Sequence, residues 1–271
     1  MRAPVWTPHA GSYISLCMSL LKRLFSGKPK AVPFTAELAP DTPFYVVGDV
    51  HGRMDLLEKL LAKIDAEDGA MDVPLVFVGD YIDRGEQSAQ VLRHVHGLYQ
   101  SADRQVICLT GNHEDMLLKF LEDPAERGAR WLRYGGLQTL FSFDVGAISD
   151  KSSEGAMEQA RNALEDAMGP ELIKWLEDMP TSWQSGNIAV VHAGADPAEP
   201  ILDQSPRILK WGHPDFRHKT RSDGTWVVHG HTIVDQANAT DGRIATDTGA
   251  FATGKLTAAY IEPGDIRFIQ A

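Results

Sequence analysis

Strand-like and helix-like patterns alternate over the first half of the chain. Short β-rich apolar runs cover residues 44–47, 74–78 and 106–110. Between them, apolar residues recur at helical spacing over residues 56–64 and 89–95. This alternation is typical of an α/β domain in which the strands pair mostly in parallel. We therefore predict an α/β fold in which the polar residues after each strand meet at one edge of the sheet.

The second half of the chain predicts helices first and further strands afterwards. Residues 115–185 have a mainly helical pattern, clearest at Met157–Met168 and Pro170–Met179. Strand patterns then return at residues 188–191, 226–228, 243–245, 256–261 and 266–269. We predict that this second group pairs mostly antiparallel and completes a two-sheet β-sandwich flanked by helices. The segment 115–185 is then a mostly helical insertion.

Residues 1–40 differ from the rest. The apolar run from Tyr13 to Leu21 is shorter than the ~20 residues that cross a bilayer. Its positive charges mostly follow it, unlike those of a signal peptide. We predict a weakly structured N-terminal extension without a transmembrane segment, followed by one domain over residues 41–271. The alternative is a short amphipathic helix at Leu20–Phe25 that touches a membrane surface or a partner.

The composition excludes several classes of protein. Hydrophobic residues make up 43% of the 271 residues and charged residues 23%, which excludes a disordered chain. The formal net charge of −11 argues against general nucleic-acid binding, which relies on neutralising phosphates. The two cysteines, Cys17 and Cys108, are too few for a disulfide framework, and we predict a cytoplasmic location. An anionic substrate would need a local positive site.

Histidine and carboxylate side chains supply such a site. Five histidines follow predicted strands: His51, His113, His192, His229 and His231. Asp49 and His51 are two residues apart, so in an extended segment their side chains point the same way. The carboxylate of Asp80 can bridge two metal ions, and Asn112 offers an amide oxygen. These mixed donors suit Mn, Fe or Zn, of which Mn is the expected metal.

Charge balance favours two metal ions. Two divalent ions carry four positive charges, and Asp49, Asp80 and a bridging hydroxide remove three of them. The remaining positive charge suits a phosphate dianion, and paired metal ions stabilise both the attacking and the leaving oxygen of a phosphoryl displacement.

The ordered set of motifs resembles the calcineurin-like metallophosphoesterases, in particular the bacterial Ser/Thr phosphoprotein phosphatases. The matching segments are Gly48–Gly52, Gly79–Gly85, Gly111–Glu114, His192–Gly194 and Gly230–Thr232. Residues 131–136 and 247–250 are also similar to segments of bacterial members. The resemblance covers about residues 43–262. It implies the calcineurin-like phosphoesterase fold with a dinuclear metal site at the strand ends.

The resemblance also implies a role for each site residue. The first metal would be held by Asp49, His51 and Asp80, and the second by Asp80, Asn112, His192 and His231. His113 would be the general acid, oriented by Asp83, while a metal-bridging hydroxide attacks phosphorus in line. Arg84 would clamp the phosphate oxygens, with Asn112 and His213 as further substrate contacts.

Two departures from the family pattern leave alternatives open. Members of the family often carry a second phosphate-binding Arg two residues after a Trp, but here Trp211 is followed by Gly212 and His213. His213, Arg207 or Arg217 would take its place, or phosphate binding is weaker. His229 and His231 are both near the last motif, which favours His231 as the metal ligand. His229 would then either support the ligands from outside the metal site or pack within the strand.

These motifs predict a metal-dependent phosphomonoester hydrolase that resembles Ser/Thr protein phosphatases. Its partner would be a phosphoprotein or a small phosphorylated substrate. The alternative substrate is a symmetrical dinucleoside (diadenosine) tetraphosphate, and a third hypothesis is a weakly active protein that recognises phosphorylated partners. Residues 115–185 would shape the substrate cleft, where Trp131 and Tyr134 could stack on the substrate. The sequence leaves the oligomeric state open.

Overall fold

Two five-stranded sheets form the framework of the computed structural model, which describes Met1 and residues 33–146 and 148–271. The strands are β1 (Phe44–Val47), β2 (Leu75–Phe77), β3 (Val106–Cys108), β4 (Ser182–Ser185), β5 (Ile188–Val191), β6 (Trp226–His229), β7 (Asn238–Thr240), β8 (Arg243–Ala245), β9 (Thr257–Glu262) and β10 (Asp265–Gln270). The α-helices are α1 (Met54–Asp65), α2 (Ser88–Gln100), α3 (Asn112–Glu122), α4 (Pro124–Trp131), α5 (Leu137–Ser142), α6 (Glu154–Met168), α7 (Pro170–Asp178), α8 (Pro206–Trp211) and α9 (Ala250–Thr253). A π-helical segment, Leu132–Gly136, joins α4 to α5.

The first sheet has the order β10-β9-β1-β2-β3. Strands β1, β2 and β3 are parallel, as predicted, with Val46 opposite Val76 and Val76 opposite Ile107. Strand β9 pairs antiparallel with β1, and β10 pairs antiparallel with β9. The last two predicted strands therefore extend the first sheet, and their assignment to the second sheet was wrong.

The second sheet has the order β4-β5-β6-β8-β7 and is mixed. Its three central strands are parallel, and only the edge strands β4 and β7 pair antiparallel with their neighbours. The prediction of a mostly antiparallel group was therefore wrong. The reason is that long connections follow β5 and β6, and such crossovers return the chain in the same direction.

One cluster of buried apolar residues lies between the two sheets. It packs Phe44 and Val46 of β1 against Val190 of β5, Val228 of β6 and Ile244 of β8. All five side chains are fully buried, and burial of each contributes about 1.5–3 kcal/mol to the free energy of folding. This packing keeps the sheets face to face, so that the ends of β1, β2, β5 and β6 meet at one edge.

Helices cover the outer face of the first sheet. Helix α1 buries Leu57, Leu60 and Ile64 against that sheet, together with residues of α2 and α3. Residues 112–178 contain α3 to α7, and α6 and α7 match their predicted spans closely, but the predicted segment 115–185 ends in strand β4. None of the helices in the described segments is long and apolar enough to cross a membrane.

The start of the described chain packs against the second sheet. The ring of Phe34 meets Trp226 edge to face, and the carbonyl of Ala36 accepts a hydrogen bond from the Trp226 indole at 3.0 Å. The backbone N–H of Ala39 donates to the side-chain oxygen of Asn187 at 2.8 Å, and the carbonyl of Ala39 accepts the backbone N–H of Asn187 at 3.2 Å. The predictions for the amphipathic helix and for most of the N-terminal extension fall on residues 2–32, outside the described residues.

Candidate active site

The predicted site residues follow the ends of β1, β2, β3, β5 and β6. The loops carry Asp49 and His51, then Asp80, Asp83 and Arg84, then His192 and finally His231, and Asn112 and His113 lie in the first turn of α3, shortly after β3. Because the strands end at the same edge of the packed sheets, residues far apart in sequence converge there. Almost all of these side chains are buried or nearly so.

The backbone is strained where these loops turn. Among described non-glycine residues, seven have positive φ, and five belong to the site: His51, Asp80, Asp83, Arg84 and His231, with φ from 46° to 71°. Each such conformation costs of the order of 1–3 kcal/mol and persists only when the surrounding structure enforces it. The packing of the rest of the fold therefore offsets the cost of these conformations, which direct the side chains into the site.

Two groups of side chains present potential metal ligands. His51, Asp80 and His113 form one group, and Asp80, His192 and His231 form the other; within each group the ligand atoms lie within 4.8 Å of one another. Asp80 belongs to both groups, as expected of a bridging carboxylate. Burial and neighbouring cationic groups lower the pKa of His51 to about 3 and that of His231 to about 4. Both imidazoles are thus neutral near pH 7, which is the form that binds metals.

Backbone carbonyls orient two of these imidazoles. His51 Nδ1 donates to the carbonyl oxygen of Ile82 at 2.7 Å, and His192 Nδ1 donates to that of Val78 at 3.1 Å. Each bond leaves the Nε2 lone pair facing the site, the arrangement that metal-bound histidines adopt. His192 Nε2 lies 2.9 Å from Asn112 Oδ1 and 3.3 Å from Asp80 Oδ1. Three electron-rich atoms that face each other at this distance fit a cation between them.

Asp49 lies between the end of β1 and the loop after β6. Both of its carboxylate oxygens accept the backbone N–H of His231, at 2.9 and 3.1 Å. Burial, together with the nearby carboxylates of Asp247 and Asp80, raises the pKa of Asp49 well above its usual range. A cluster of three buried carboxylates repels itself unless cations neutralise it, so this donor set fits divalent metal ions.

His113 and Asp83 form a buried pair beside the ligand groups. His113 Nδ1 donates to Asp83 Oδ2 at 2.6 Å. The Asp83 carboxylate also accepts the indole N–H of Trp131 at 3.0 Å and the hydroxyl of Thr139 at 2.6 Å. Burial opposes a charged His113, but the carboxylates of Asp80 and Asp83 outweigh it and raise the pKa of His113 above its usual value. The pair can therefore hold a proton at His113 near neutral pH.

Arg84 reaches the same place from the loop after β2. Its Nη2 lies 3.2 Å from His113 Nε2, and its guanidinium lies 4.6 Å above the ring of Phe251. Its backbone N–H donates to the carbonyl of Gly135 in the π-helical segment at 3.3 Å. Arginine presents paired donors that match phosphate oxygens. An anion bound next to His113 would therefore meet this guanidinium.

Glu114 holds two of the loops together. Its buried carboxylate accepts backbone N–H groups of Asp80, Tyr81 and Gly111, each at 2.9 Å. Burial and the charge of Asp80 raise the pKa of Glu114 to about 7. The sequence placed Glu114 in a motif without giving it a role, and this bonding makes it the residue that joins the loops after β2 and β3.

We expect Glu114→Ala to lower the free energy of unfolding by about 3 kcal/mol or more, because three buried N–H groups lose their acceptor. Glu114→Gln keeps one acceptor oxygen and should lose less. Urea unfolding of both variants measures the difference. Equal stability of the wild type and Glu114→Ala would show that the carboxylate does not hold the loops.

Two glycines allow the loops to approach one another. A Cβ atom at Gly111 would lie 2.1 Å from Asp80 Oδ1, and one at Gly230 would lie 1.9 Å from Asp49 Oδ1. Both values are far below van der Waals contact. The glycines of these two motifs are thus explained by the space that the carboxylates occupy.

The remaining predicted residues occupy different positions. His213 lines a cavity of about 340 Å³ together with Arg217 and His231, so it lies at the edge of the site, with its Nε2 3.5 Å from Asp196 Oδ2. Arg207 lines a neighbouring cavity. His229 is buried at the end of β6 and packs edge to face on Phe216, while its Nδ1 contacts the carbonyl of its own neighbour Gly230.

The sequence analysis assigned one aromatic residue wrongly and missed two other residues of the site. Trp131 is fully buried and holds Asp83, so the expectation that it stacks on a substrate was wrong; Tyr134 remains exposed. The contributions of Thr139 and Phe251 were not predicted. Trp131 was recognisable from its motif, but nothing in the pattern around Thr139 or Phe251 distinguishes them from ordinary core residues.

The fold and the site define a metallophosphoesterase, an enzyme that hydrolyses phosphoric esters. Residues 42–235 match the calcineurin-like phosphoesterase family, and the chain belongs to that family. The family predicted from the motifs is thereby confirmed, as are the α/β fold with two sheets and the phosphoric-ester hydrolase class.

The proteins that resemble this chain are named as phosphatases of different kinds. The chain is 28% identical over 236 residues to the asymmetrical bis(5'-nucleosyl)-tetraphosphatase PrpE of Halalkalibacterium halodurans, covering 79% of this chain and 88% of the relative. It is 26% identical over 279 residues to the symmetrical bis(5'-nucleosyl)-tetraphosphatase of Xanthomonas oryzae pv. oryzae, covering 83% of each. A cold-active protein-tyrosine phosphatase from a psychrophilic Shewanella species shares the fold, with a TM-score of 0.56, 19% identity and coverage of 86% of this chain and 83% of that one.

Proposed function

We propose that the protein hydrolyses dinucleoside tetraphosphates. The observation that carries this proposal is that relatives spanning about four-fifths of the chain are bis(5'-nucleosyl)-tetraphosphatases. They support the alternative substrate of the sequence analysis better than its main hypothesis. Relatives of both the symmetrical and the asymmetrical kind match, so the position of cleavage is left to product analysis.

Two divalent metal ions complete the proposed site. We assign the first ion to Asp49, His51 and Asp80, and the second to Asp80, Asn112, His192 and His231, with Mn as the first choice and Fe or Zn as alternatives. When bound, these ions supply Lewis-acid stabilisation of the charge on the transferring phosphoryl group.

The chain's own residues have the remaining roles in this proposal. Arg84 binds oxygens of the scissile phosphate, for which its guanidinium is already aimed beside His113. Asn112 and His213 are further proposed contacts. His113 holds a proton on Nε2 and gives it to the leaving oxygen, and Asp83 positions the ring and stabilises its charged form. Trp131 and Thr139 fix Asp83 in turn.

A Ser/Thr protein phosphatase is the second candidate. It is favoured by the segment Asp247–Ala250, which is similar to bacterial protein phosphatases and lies at the site, since the charge of Asp247 acts on Asp49. The third hypothesis, a weakly active recognition protein, is not carried forward, because the family is one of hydrolases. We also propose a cytoplasmic location, based on the low cysteine content.

Turnover of two substrates by the purified protein with Mn²⁺ tests the proposal. We expect kcat/KM for diadenosine tetraphosphate to exceed that for a phosphoseryl peptide by about tenfold or more. Ion-exchange chromatography of the products then distinguishes symmetrical cleavage into two nucleoside diphosphates from asymmetrical cleavage into a mono- and a triphosphate. Faster turnover of the peptide would favour the second candidate.

The Asp83–His113 pair predicts a change in pH dependence. The general acid must be protonated, so kcat should fall as the pH rises through the raised pKa of His113. Asp83→Asn removes a charge that raises this pKa, so the high-pH limb of the kcat profile should move to lower pH. We also expect kcat at its optimum to fall about 10–100-fold, the usual effect of losing an orienting partner. An unchanged high-pH limb in Asp83→Asn would contradict this role.

A further inference from the structure

A cavity lined by cationic residues lies beside the active site. It has a volume of about 650 Å³, and we refer to it as the basic cavity. Its charged and aromatic lining consists of Asp115, Lys119, Arg130, Arg207, Lys210, Trp211 and His213. Four permanent cations and one carboxylate give the lining a net charge of +3 with His213 neutral, in a chain whose net charge is −11. Such a local excess of positive charge fits an anionic ligand.

The basic cavity adjoins a second cavity at the edge of the active site. The cavity of about 340 Å³ at the edge of the site is lined by His231 and Thr232, and it shares Trp211, Gly212, His213 and Pro214 with the basic cavity. His231 is one of the proposed metal ligands. A long anionic substrate with one phosphate at the metal ligands can therefore extend past His213 into the basic cavity.

The lining is built so that two of its cations remain available. Asp115 accepts hydrogen bonds from both Lys119 and Lys210, and also from the Trp211 indole N–H at 3.3 Å. Arg130 lies 5.0 Å above the Trp211 ring. Within residues 33–146 and 148–271, no carboxylate forms an ion pair with Arg130 or Arg207. Asp115 thus fixes one wall, and the two arginines face the cavity with their charge unneutralised.

We propose that the basic cavity binds the phosphates of the substrate beyond the one that is cleaved, with Arg130 and Arg207 as the main contacts. This inference rests on the proposed function, because it gives a binding site to the additional phosphates, which a polyphosphate has and a phosphomonoester lacks. Each phosphate of such a chain carries an ionised oxygen, and arginine binds these oxygens through paired donors. The basic cavity would then select polyphosphates over simple phosphate esters without taking part in the chemistry.

A double variant, Arg130→Gln with Arg207→Gln, tests the proposal by inhibition of p-nitrophenyl phosphate hydrolysis. Both arginines are exposed, so we expect the variant to fold. Inorganic tripolyphosphate and orthophosphate serve as inhibitors, with Mn²⁺ in excess so that the inhibitor does not remove metal. We expect the inhibition constant of tripolyphosphate to rise about tenfold or more and that of orthophosphate to change less than twofold. KM for diadenosine tetraphosphate should rise similarly, with kcat unchanged.

Arg127→Gln is the matched control, because Arg127 is exposed on the same helix as Arg130 but lies outside the cavity lining. It should leave both inhibition constants unchanged. Loss of tripolyphosphate inhibition only in the double variant supports the proposal even if the wild type does not cleave diadenosine tetraphosphate, in which case only the proposed substrate is wrong. Unchanged tripolyphosphate inhibition, or an equal loss for orthophosphate, would overturn the assignment of the cavity.

Discussion

Replacing His113 with asparagine should lower kcat for a phosphoseryl peptide about 10²–10⁴-fold, the range that general acid catalysis contributes. Serine alkoxide is a poor leaving group and needs the proton that His113 holds. His113 is well placed for this role, since its Nδ1 is bound to Asp83 and its Nε2 faces Arg84 and the ligand groups. Asparagine keeps a polar group at the position but cannot donate a proton of similar acidity.

The leaving group provides the sharpest control for this variant. p-Nitrophenolate needs little protonation, so the same variant should lose much less kcat on p-nitrophenyl phosphate. A nucleoside diphosphate, whose terminal phosphate ionises near neutral pH, should behave like p-nitrophenolate and show a similarly small loss. His218→Asn, at an exposed position, should match the wild type on all three. Equal losses on all substrates would mean that His113 acts in binding or folding rather than as the acid.

Replacing Asp80 with asparagine should lower turnover by about 10³-fold or more at any metal concentration. The carboxylate is the only ligand common to both groups, and it also accepts the backbone N–H of His113 at 3.1 Å. Loss of a bridging charge removes several kcal/mol of charge stabilisation, and each 1.36 kcal/mol corresponds to tenfold in rate. The measurement is kcat on p-nitrophenyl phosphate over a Mn²⁺ titration.

The exposed Asp68→Asn is the control for this substitution, with thermal unfolding to confirm that each variant is folded. Recovery of wild-type turnover at saturating Mn²⁺ would contradict a bridging role.

The ends of the strands were predictable because their signal is local. An apolar run followed by glycine and a carboxylate, amide or histidine specifies both a buried strand and the polar turn after it, as at β1 with Asp49 and at β3 with Asn112. The convergence of these turns then follows from parallel pairing within each sheet. For this reason, the structure brings most of the predicted ligands together.

Other features depend on contacts between distant segments and could not be read from the pattern. The pairing of β9 with β1 is set by the packing of whole sheets, since an apolar strand fits either sheet equally well. The roles of Thr139 and Trp131 depend on which residue their polar atoms meet, and here both meet Asp83. The edge strand β7 has almost no apolar signal, although the Asp241–Gly242 turn that joins it to β8 is typical of a hairpin.

The metal content of the purified protein tests the central claim most directly. After removal of metal with a chelator, reconstitution with Mn²⁺ and gel filtration, elemental analysis should find two ions per chain in the wild type. In Asp80→Asn, which loses the shared ligand, fewer than one should remain. A wild-type chain that retains no ion, or an Asp80→Asn chain that retains two, would show that these carboxylates and imidazoles do not form a dinuclear site.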